Sequence, residues 1–320
     1  MSFQKITQPV IAGTGILTLD AVPVMKEDNA DTYRLYAGGS ALNVSMILQT
    51  MGWTAFPVGK IGPDRAGEYF LNDIAPFDVN RESILQNPGD ATPVYIQQQD
   101  GEEHKFVREC PFCGYEFVHY QPLTMDEAKT ITNRLPGRID VFYLERVSPG
   151  AFQLARDSKE KGAFVFFEPN RVDDESLFLD CLRLADVYKY SRERLHETQA
   201  ISDSISIPLE IESQGKQGLQ FRVHHGQTRG DWNYIPAPAV PKFTDAAGAG
   251  DWLSAGFLNY VCKSEEPFPF GTPLVTEALS AGQSTAVMNC AFESARGFLY
   301  QEKPIQIGTD FCPQCAGDPK

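Results

Sequence analysis

Short apolar runs alternate with segments of helical period along most of this chain. Downstream of Thr124 the alternation is regular. It predicts a helix over 125–135, a strand over 141–144, a helix over 151–161 stopped by Gly162, and a fully apolar strand over 163–167. A helix over 176–184, a strand over 187–189, a helix over 192–198 and strands over 209–212 and 219–224 continue the series. Upstream, the run over 10–20 reads as one buried strand ending at the acid Asp20, and a short strand is expected over 33–37. Gly38-Gly39 then opens a helix that runs to Met51 and is ended by Gly52, with Leu42, Val44, Met46, Ile47 and Leu48 as buried positions. A strand over 55–58 precedes a glycine-punctuated loop over 59–67 and another helix. Residues 91–109 have strand character on both sides of Asp100-Gly101, a strong hairpin signal. An extended segment over 232–243 leads to helices over 252–261 and 272–292, the second rich in small residues that suit tight packing. Strand and helix in turn imply an α/β fold, a doubly wound and mainly parallel sheet covered by helices on both faces.

Ligands of such sheets sit at the carboxyl ends of the strands. Asp20, Gly38, Gly39, Glu168, Asn170 and Asp251 each stand just after an expected strand, so they are expected to share one cleft. The densest signal is the segment 245–251, Asp-Ala-Ala-Gly-Ala-Gly-Asp. Glycines where an extended segment meets a helix let backbone N–H groups converge on an anion, and the helix N-terminus adds partial positive charge. Asp251 in the first helical turn can take a proton from a substrate hydroxyl while the hole steadies a transferring phosphoryl group. Taken alone, the segment reads equally as a Gly-rich turn capped by an acid. In the same way, Asp20 is either a ligand of sugar hydroxyls or a turn acid. Gly38-Gly39 with Asn43 is either a site for a vicinal diol or a structural turn. Two nucleotide motifs fail on spacing. Position 18 is Thr where a dinucleotide fingerprint begun at Gly13 and Gly15 needs a third glycine, and no Gly-x-x-x-x-Gly-Lys-Ser/Thr loop occurs.

Composition narrows the partners. The 320 residues are 42% hydrophobic and 22% charged, enough for one large α/β domain or two small ones with a self-sufficient core. A formal net charge of −14 argues against a nucleic-acid backbone or an anionic membrane surface as partner. No apolar run approaches the roughly 20 residues of a membrane span. Residues 1–9 lack the charged-then-apolar profile of a signal peptide, so a cytoplasmic location is expected.

With these residues in place the chain resembles the ribokinase, or PfkB, family of carbohydrate kinases. The segment 245–251 with Gly256 resembles that family's second signature, and Gly38-Gly39 with Asn43, Gly59, Gly62, Asp64 and Gly67 resembles the first. The resemblance runs from about residue 10 to about 300 and implies a single ribokinase-like kinase domain over 1–320. It implies a small β-sheet lid built from approximately 20–37 and 91–120, through which such proteins often form a homodimer. It implies Asp251 as general base and the N–H groups of Ala247, Gly248, Ala249 and Gly250 as the hole for the ATP γ-phosphate. Asp20, Gly38, Gly39 and Asn43 would hold a sugar-like small molecule. Lys189, Gly215, Gly218 and Gln283 would lie on the nucleotide side, Mg²⁺ would bridge the phosphates, and Asp245 would help place a monovalent cation. The pattern departs from the family where an Asn and a Glu three apart are usual, since Ser191 and Arg194 stand there with Glu193 one position early. Glu168-Pro169-Asn170 replaces the usual Asp-Pro-Asn. The expected activity is ATP-dependent phosphorylation of a sugar hydroxyl. A nucleoside kinase of the same fold and a sugar-binding regulatory homologue are the alternatives.

The cysteines fall outside that resemblance. Of seven, four form two Cys-Pro-x-Cys knuckles, Cys110 with Cys113 and Cys312 with Cys315. They resemble the knuckles of zinc ribbons and rubredoxins. Two such units supply four thiolates for a tetrahedral structural Zn²⁺, with iron, a redox pair or unpaired thiols as alternatives. A filled site would tie the C-terminal tail to the base of the lid hairpin. Cys181, Cys262 and Cys290 read as core residues, and the histidines show no metal-site spacing.

Overall fold

The structure, a computed structural model, describes residues 8–24, 32–100, 103–226, 228–301 and 305–316. In chain order it forms β1 (Val10–Thr14), β2 (Thr18–Pro23), β3 (Tyr33–Gly38), α1 (Ser40–Thr50), β4 (Thr54–Lys60), α2 (Arg65–Ile74), β5 (Ile84–Leu85), β6 (Val94–Asp100) and β7 (Glu103–Val107). There follow α3 (Met125–Thr132), β8 (Val141–Leu144), α4 (Pro149–Glu160), β9 (Phe164–Phe167), α5 (Glu175–Leu184), β10 (Val187–Ser191), α6 (Arg192–Leu195), α7 (Gln199–Ser202), β11 (Leu209–Ser213) and β12 (Gly218–Val223). The chain ends with β13 (Asn233–Pro236), α8 (Ala249–Val261), α9 (Thr272–Asn289), β14 (Gln306–Gly308) and α10 (Pro313–Ala316).

The large sheet has the order β13-β12-β11-β10-β9-β8-β1-β4-β5. It is parallel from β5 to β11 and antiparallel at β11–β12 and β12–β13. Its central strands are short apolar runs because both faces are covered. Phe164 and Phe166 pack on the side of α1, α8 and α9, while Val165 and Phe167 pack with α3, α4 and α5. Local chemistry sets the helix starts. Thr124 and Glu127 form a capping box at α3, and Ser148 caps α4 with Pro149 in its first turn. Helices α8 and α9 approach closely because both contribute glycine at the contact. A Cβ on Gly256 would lie 2.7 Å from Gly282 Cα, and one on Gly282 would lie 2.5 Å from Leu253 O. That contact fixes α8, whose N-terminus carries the densest sequence signal.

The small sheet has the order β14-β3-β2-β6-β7, with only β2 and β6 parallel. Its core joins Leu19, Leu35, Val94 and Ile96 to Phe117, Phe311, Cys110 and Cys312. Asp100 and Glu103 are paired across the hairpin, while its turn at Gly101 lies outside the described residues.

Two expectations need correction. The run over 10–20 is not one strand: β1 belongs to the large sheet and β2 to the small one, so Asp20 lies inside a strand of the small sheet. The break falls at Gly15, where a Cβ would stand 2.1 Å from Glu145 Oε2, so the chain turns away to make room for a buried carboxylate. The second is β14, which apolar patterning did not foretell. Its three residues gain their pairing from Tyr33, Arg34 and Leu35 of β3 rather than from their own periodicity. No helix among the described residues is long and apolar enough to cross a membrane.

Candidate active site

The loop before α8 is built for its shape. Gly248 has φ 72°, and a Cβ there would meet Ala295 O at 2.3 Å, so both backbone and packing demand glycine. Asp245 braces the turn: its Oδ1 accepts from Ala247 N at 2.9 Å and its Oδ2 from Ser294 N at 3.0 Å. Ala249 N donates to Ala246 O at 3.1 Å. Two of the four N–H groups expected to face an anion, those of Ala247 and Ala249, are therefore used inside the loop. Those of Gly248 and Gly250 have no acceptor among the described residues. A Cβ on Gly250 would stand 3.7 Å from Lys189 Nζ and 3.9 Å from Glu168 Oε1, so open space rather than crowding surrounds it.

Asp251 is 7% exposed in the first turn of α8. Asn43, in the first turn of α1, donates through Nδ2 to Asp251 Oδ2 at 2.7 Å. Asn43 Oδ1 in turn accepts from Arg296, whose Nη2 also donates to Ala37 O at 2.6 Å and lies 3.2 Å from Asp73 Oδ2. Burial pushes the Asp251 carboxyl up to about 6. The charge of Glu168 adds to this, while Asn43, Lys189 and Ser40 oppose it. Beneath the loop Lys189, 2% exposed, pairs with Glu168 and donates to Gly250 O at 3.2 Å. Glu168 Oε2 accepts from Tyr143 OH at 2.8 Å and from Ser254 Oγ at 2.5 Å.

Asp20 faces this assembly from the small sheet. A cleft lined by Asp20, Tyr36, Gln97, Phe106, Ala247 and Arg296 joins it to the loop before α8. Thr18 Oγ1 donates to Asp20 Oδ1 at 2.8 Å, and burial lifts the Asp20 carboxyl to about 6 against that hydrogen bond. Gly38 is glycine because a Cβ would stand 2.1 Å from Asp20 Oδ2. Gly39, at φ 106°, lets α1 begin directly against Ile16 O. Asp20, Gly38, Gly39, Asn43, Ala247, Gly248, Gly250 and Asp251 thus meet in one region.

Other expected residues lie farther along the sheet edge. Gly215 and Gly218 flank the β11–β12 turn, both with positive φ, and the Glu193 carboxylate stands 3.6 Å from where a Cβ on Gly215 would be. Gln283 is near the same sheet edge, donating to Pro236 O at 3.2 Å. Ser191 ends β10 and pairs in register with Ser213. Beside the small sheet, the Sγ atoms of Cys110, Cys113, Cys312 and Cys315 all lie within 4.8 Å of one another.

Several residues of the cleft were missed. Glu145 and Arg146 directly follow the apolar strand over 141–144, so the strand-end argument used for Glu168 applies to them as well. Glu145 Oε2 accepts from Ile16 N at 3.1 Å, and burial, opposed by Arg146, lifts this carboxyl to about 7. Arg296 and Asp73 carried no sequence signal, since only the tertiary fold brings them beneath Asn43.

A profile of the pfkB family carbohydrate kinases matches residues 11–296. The Bacillus subtilis (strain 168) fructosamine kinase FrlD is 23% identical over 293 residues, covering 84% of this chain and 89% of its own. The ATP-dependent ribose-1-phosphate kinase of Halopiger xanaduensis is 24% identical over 251 residues, covering 76% and 79%. Among solved structures, the Salmonella enterica aminoimidazole riboside kinase, complexed with aminoimidazole riboside and an ATP analog, superposes with a TM-score of 0.67. It is 19% identical and covers 89% of this chain and 95% of that one. The fructokinase of Vibrio cholerae O395, bound to fructose, ADP and calcium, gives 0.68 at 20% identity over 91% and 95%. With a family match that spans both sheets and the loop before α8, this chain belongs to the pfkB family of carbohydrate kinases.

Proposed function

We propose that the protein transfers the γ-phosphoryl group of ATP to a hydroxyl of a sugar or sugar-like substrate, with Asp251 as general base. The observation that carries this is the placement of a buried, hydrogen-bonded Asp251 beside the N–H groups of Gly248 and Gly250, which have no acceptor among the described residues, with Asp20 lining a cleft that reaches the same loop at Ala247. Asp20 and Asn43, with Gly38 and Gly39 giving close access, hold the sugar hydroxyls. Asp251 Oδ takes the acceptor proton as the hydroxyl oxygen attacks the γ-phosphorus. The bond to the β-phosphate oxygen breaks and ADP leaves. Charge on the transferring group is steadied by the N–H groups of Gly248 and Gly250 and by the α8 N-terminus. A carboxyl lifted to about 6 is still ionised at neutral pH and accepts a proton more readily than an ordinary aspartate. Gly215, Gly218 and Gln283 form the nucleotide side, while Lys189, expected there too, is buried beneath the loop before α8 and braces it through Gly250 O. Mg²⁺ bound with the phosphates would supply charge neutralisation. A monovalent cation near Asp245 belongs to the same proposal.

The four-cysteine cluster fits a structural Zn²⁺. Cys110 and Cys315 Sγ are 3.8 Å apart and Cys113 and Cys312 Sγ 3.7 Å apart. A tetrahedron with Zn–S near ~2.3 Å has edges of roughly 3.8 Å. Four thiolates leave no open position for chemistry, so the metal would clamp the tail that carries β14 onto the small sheet. We read that sheet as the lid of a single kinase domain, acting in a reducing cytoplasm that suits thiol ligands. Homodimerisation through the lid would use the β7 edge, because β14 occupies the β3 edge.

A coupled ADP-release assay over sugars, sugar phosphates and ribosides tests the reading, with Asp251→Asn as control. Turnover lost in the variant is expected. Binding of ATP and sugar without transfer by the wild type, or full rate in Asp251→Asn, would overturn it.

A further inference from the structure

Arg146, next to the buried Glu145, is unusual. It is 7% exposed, yet its Nε and Nη1 have no hydrogen-bond partner among the described residues. Glu145 Oε1 lies 3.2 Å from Nε as an ion pair but out of line for a hydrogen bond, and Nη1 lacks even that. A guanidinium stays charged at any relevant pH and directs its donors in a fixed plane. Leaving such donors buried and unmade is costly, more so for a charged group than a neutral one. An acceptor from outside the chain would remove that cost.

The surroundings say what kind of acceptor. Tyr120 lies beneath the guanidinium, 5.7 Å from Cζ to ring centroid. His119 next to it accepts from Tyr120 N through Nδ1 at 2.7 Å, so its neutral ring carries the proton on Nε2. Its Nε2 stands 3.1 Å from Arg171 Nη1, and Arg171 Nε also pairs with Asp173 Oδ1 at 2.5 Å. Tyr95 OH is 3.3 Å from His119 Nδ1, and Tyr95 pairs in register with Asp20. The donors of Arg146, His119 and Arg171 therefore gather beside the acid read as the sugar-hydroxyl ligand. Burial, with Arg171, Arg108 and Arg146 adding to it, holds the His119 ring below its ordinary value, consistent with a region of positive potential.

We propose that the sugar substrate carries an anionic group, a phosphate or a carboxylate, remote from the hydroxyl that is phosphorylated, and that Arg146 receives it with Arg171 and His119. This rests on the sugar-kinase reading and adds the substrate's charge. Arg146 reaches it from just beyond the end of β8, beside Glu145. Asn170 Nδ2 donates to Glu145 Oε1 at 3.3 Å, and its own buried Oδ1 has no partner among the described residues, so it can accept from a substrate hydroxyl.

The test measures kcat/KM at saturating ATP for matched sets: a neutral sugar, its phosphate monoester, and the corresponding sugar acid. The anionic members are expected to exceed the neutral one by about 100-fold or more, and the better of the two identifies the anion. Arg146→Gln should lower kcat/KM for the anionic substrate far more than for the neutral one, mainly through KM, with partial recovery in Arg146→Lys. If Arg146→Gln does not fold, the exposed Arg171→Gln provides the same comparison at smaller amplitude. Preference for the neutral sugar, or equal loss on both classes, would overturn the proposal while leaving the kinase reading intact. Calorimetric titration of the sugar phosphate without nucleotide separates the two claims. Arg146-dependent binding without transfer supports the anion site and counts against the kinase reading. No binding of either anion by the wild type counts against the site.

Discussion

Asp251 and Asn43 are 208 positions apart in sequence and joined by a 2.7 Å hydrogen bond. Each stands in the first turn of a helix, α8 and α1, that packs on the same face of the large sheet. The bond orients the Asp251 carboxylate. Arg296 fixes Asn43 from behind, so Asp251, the base we propose, is held by a chain of buried polar groups.

Replacing Asp251 with Asn should separate activity from stability. Loss of a general base is expected to cut kcat by about 10²–10⁴-fold. The same change should stabilise the apo protein near pH 8. The folded pKa of Asp251, about 6, lies above the ordinary 3.8, so the folded state binds the proton more tightly. Its stabilising influence is complete below the unfolded value and is lost as pH rises through about 6. Above that, the buried charge costs on the order of 2–3 kcal/mol, which Asn removes. Thermal unfolding at pH 5 and pH 8 reads this, and an Asn variant less stable than wild type at pH 8 would contradict it.

The same shift sets the rate profile. kcat/KM should rise with pH through a limb near 6 as Asp251 ionises. In wild type, a flat profile from pH 5 to 8 with a saturating nucleotide would argue against an aspartate base in this environment.

Gly248 and Gly250 should respond differently to alanine. Gly248→Ala forces a side chain onto φ 72° and into Ala295 O, so it should lower stability by about 1–3 kcal/mol. Gly250→Ala meets nothing closer than 3.7 Å, so it should fold normally. Its methyl would fill the space beside the free N–H groups and lower kcat by roughly 10²-fold, as loss of a hole donor does. Denaturant melts alongside single-turnover rates distinguish the two.

Arg296→Gln should be among the most destabilising changes near the site. It leaves Asp73 buried beside Tyr300 without its cation, at a cost of about 3–5 kcal/mol. Adding Asp73→Asn should recover much of this in a double-mutant cycle, and full additivity would show that the two do not interact.

Elemental analysis of protein purified without chelator should find about one zinc or iron per chain, as four-thiolate sites bind. Stripping the metal, or Cys315→Ser, should expose the tail to limited proteolysis near Phe311, which is fully buried when the tail is seated. Metal-free protein with an equally resistant tail would speak against the clamp.

What could be read in the sequence was whatever depends on neighbours along the chain. The apolar runs at β8, β9 and β10 announce strands buried on both faces. The Gly-rich segment before α8 and the Gly38-Gly39 pair announce tight turns at helix starts, where Gly248 and Gly39 take positive φ. The two Cys-Pro-x-Cys knuckles announce each other, because a four-thiolate site needs both. Glu145 was legible by the same logic as Glu168 and was passed over. The tertiary structure alone decided the rest. Gly15 ends β1 because a carboxylate 130 residues downstream needs its space, which moves Asp20 into the small sheet. β14 is a strand only because β3 offers it an edge. Asp73 and Arg296 have no local pattern, since a buried ion pair is specified by where two helices and a loop cross. Arg146 has meaning only when its donors are seen to be buried and unmet. Periodicity reports which face of an element is covered, and it cannot report which distant group a buried polar atom will find.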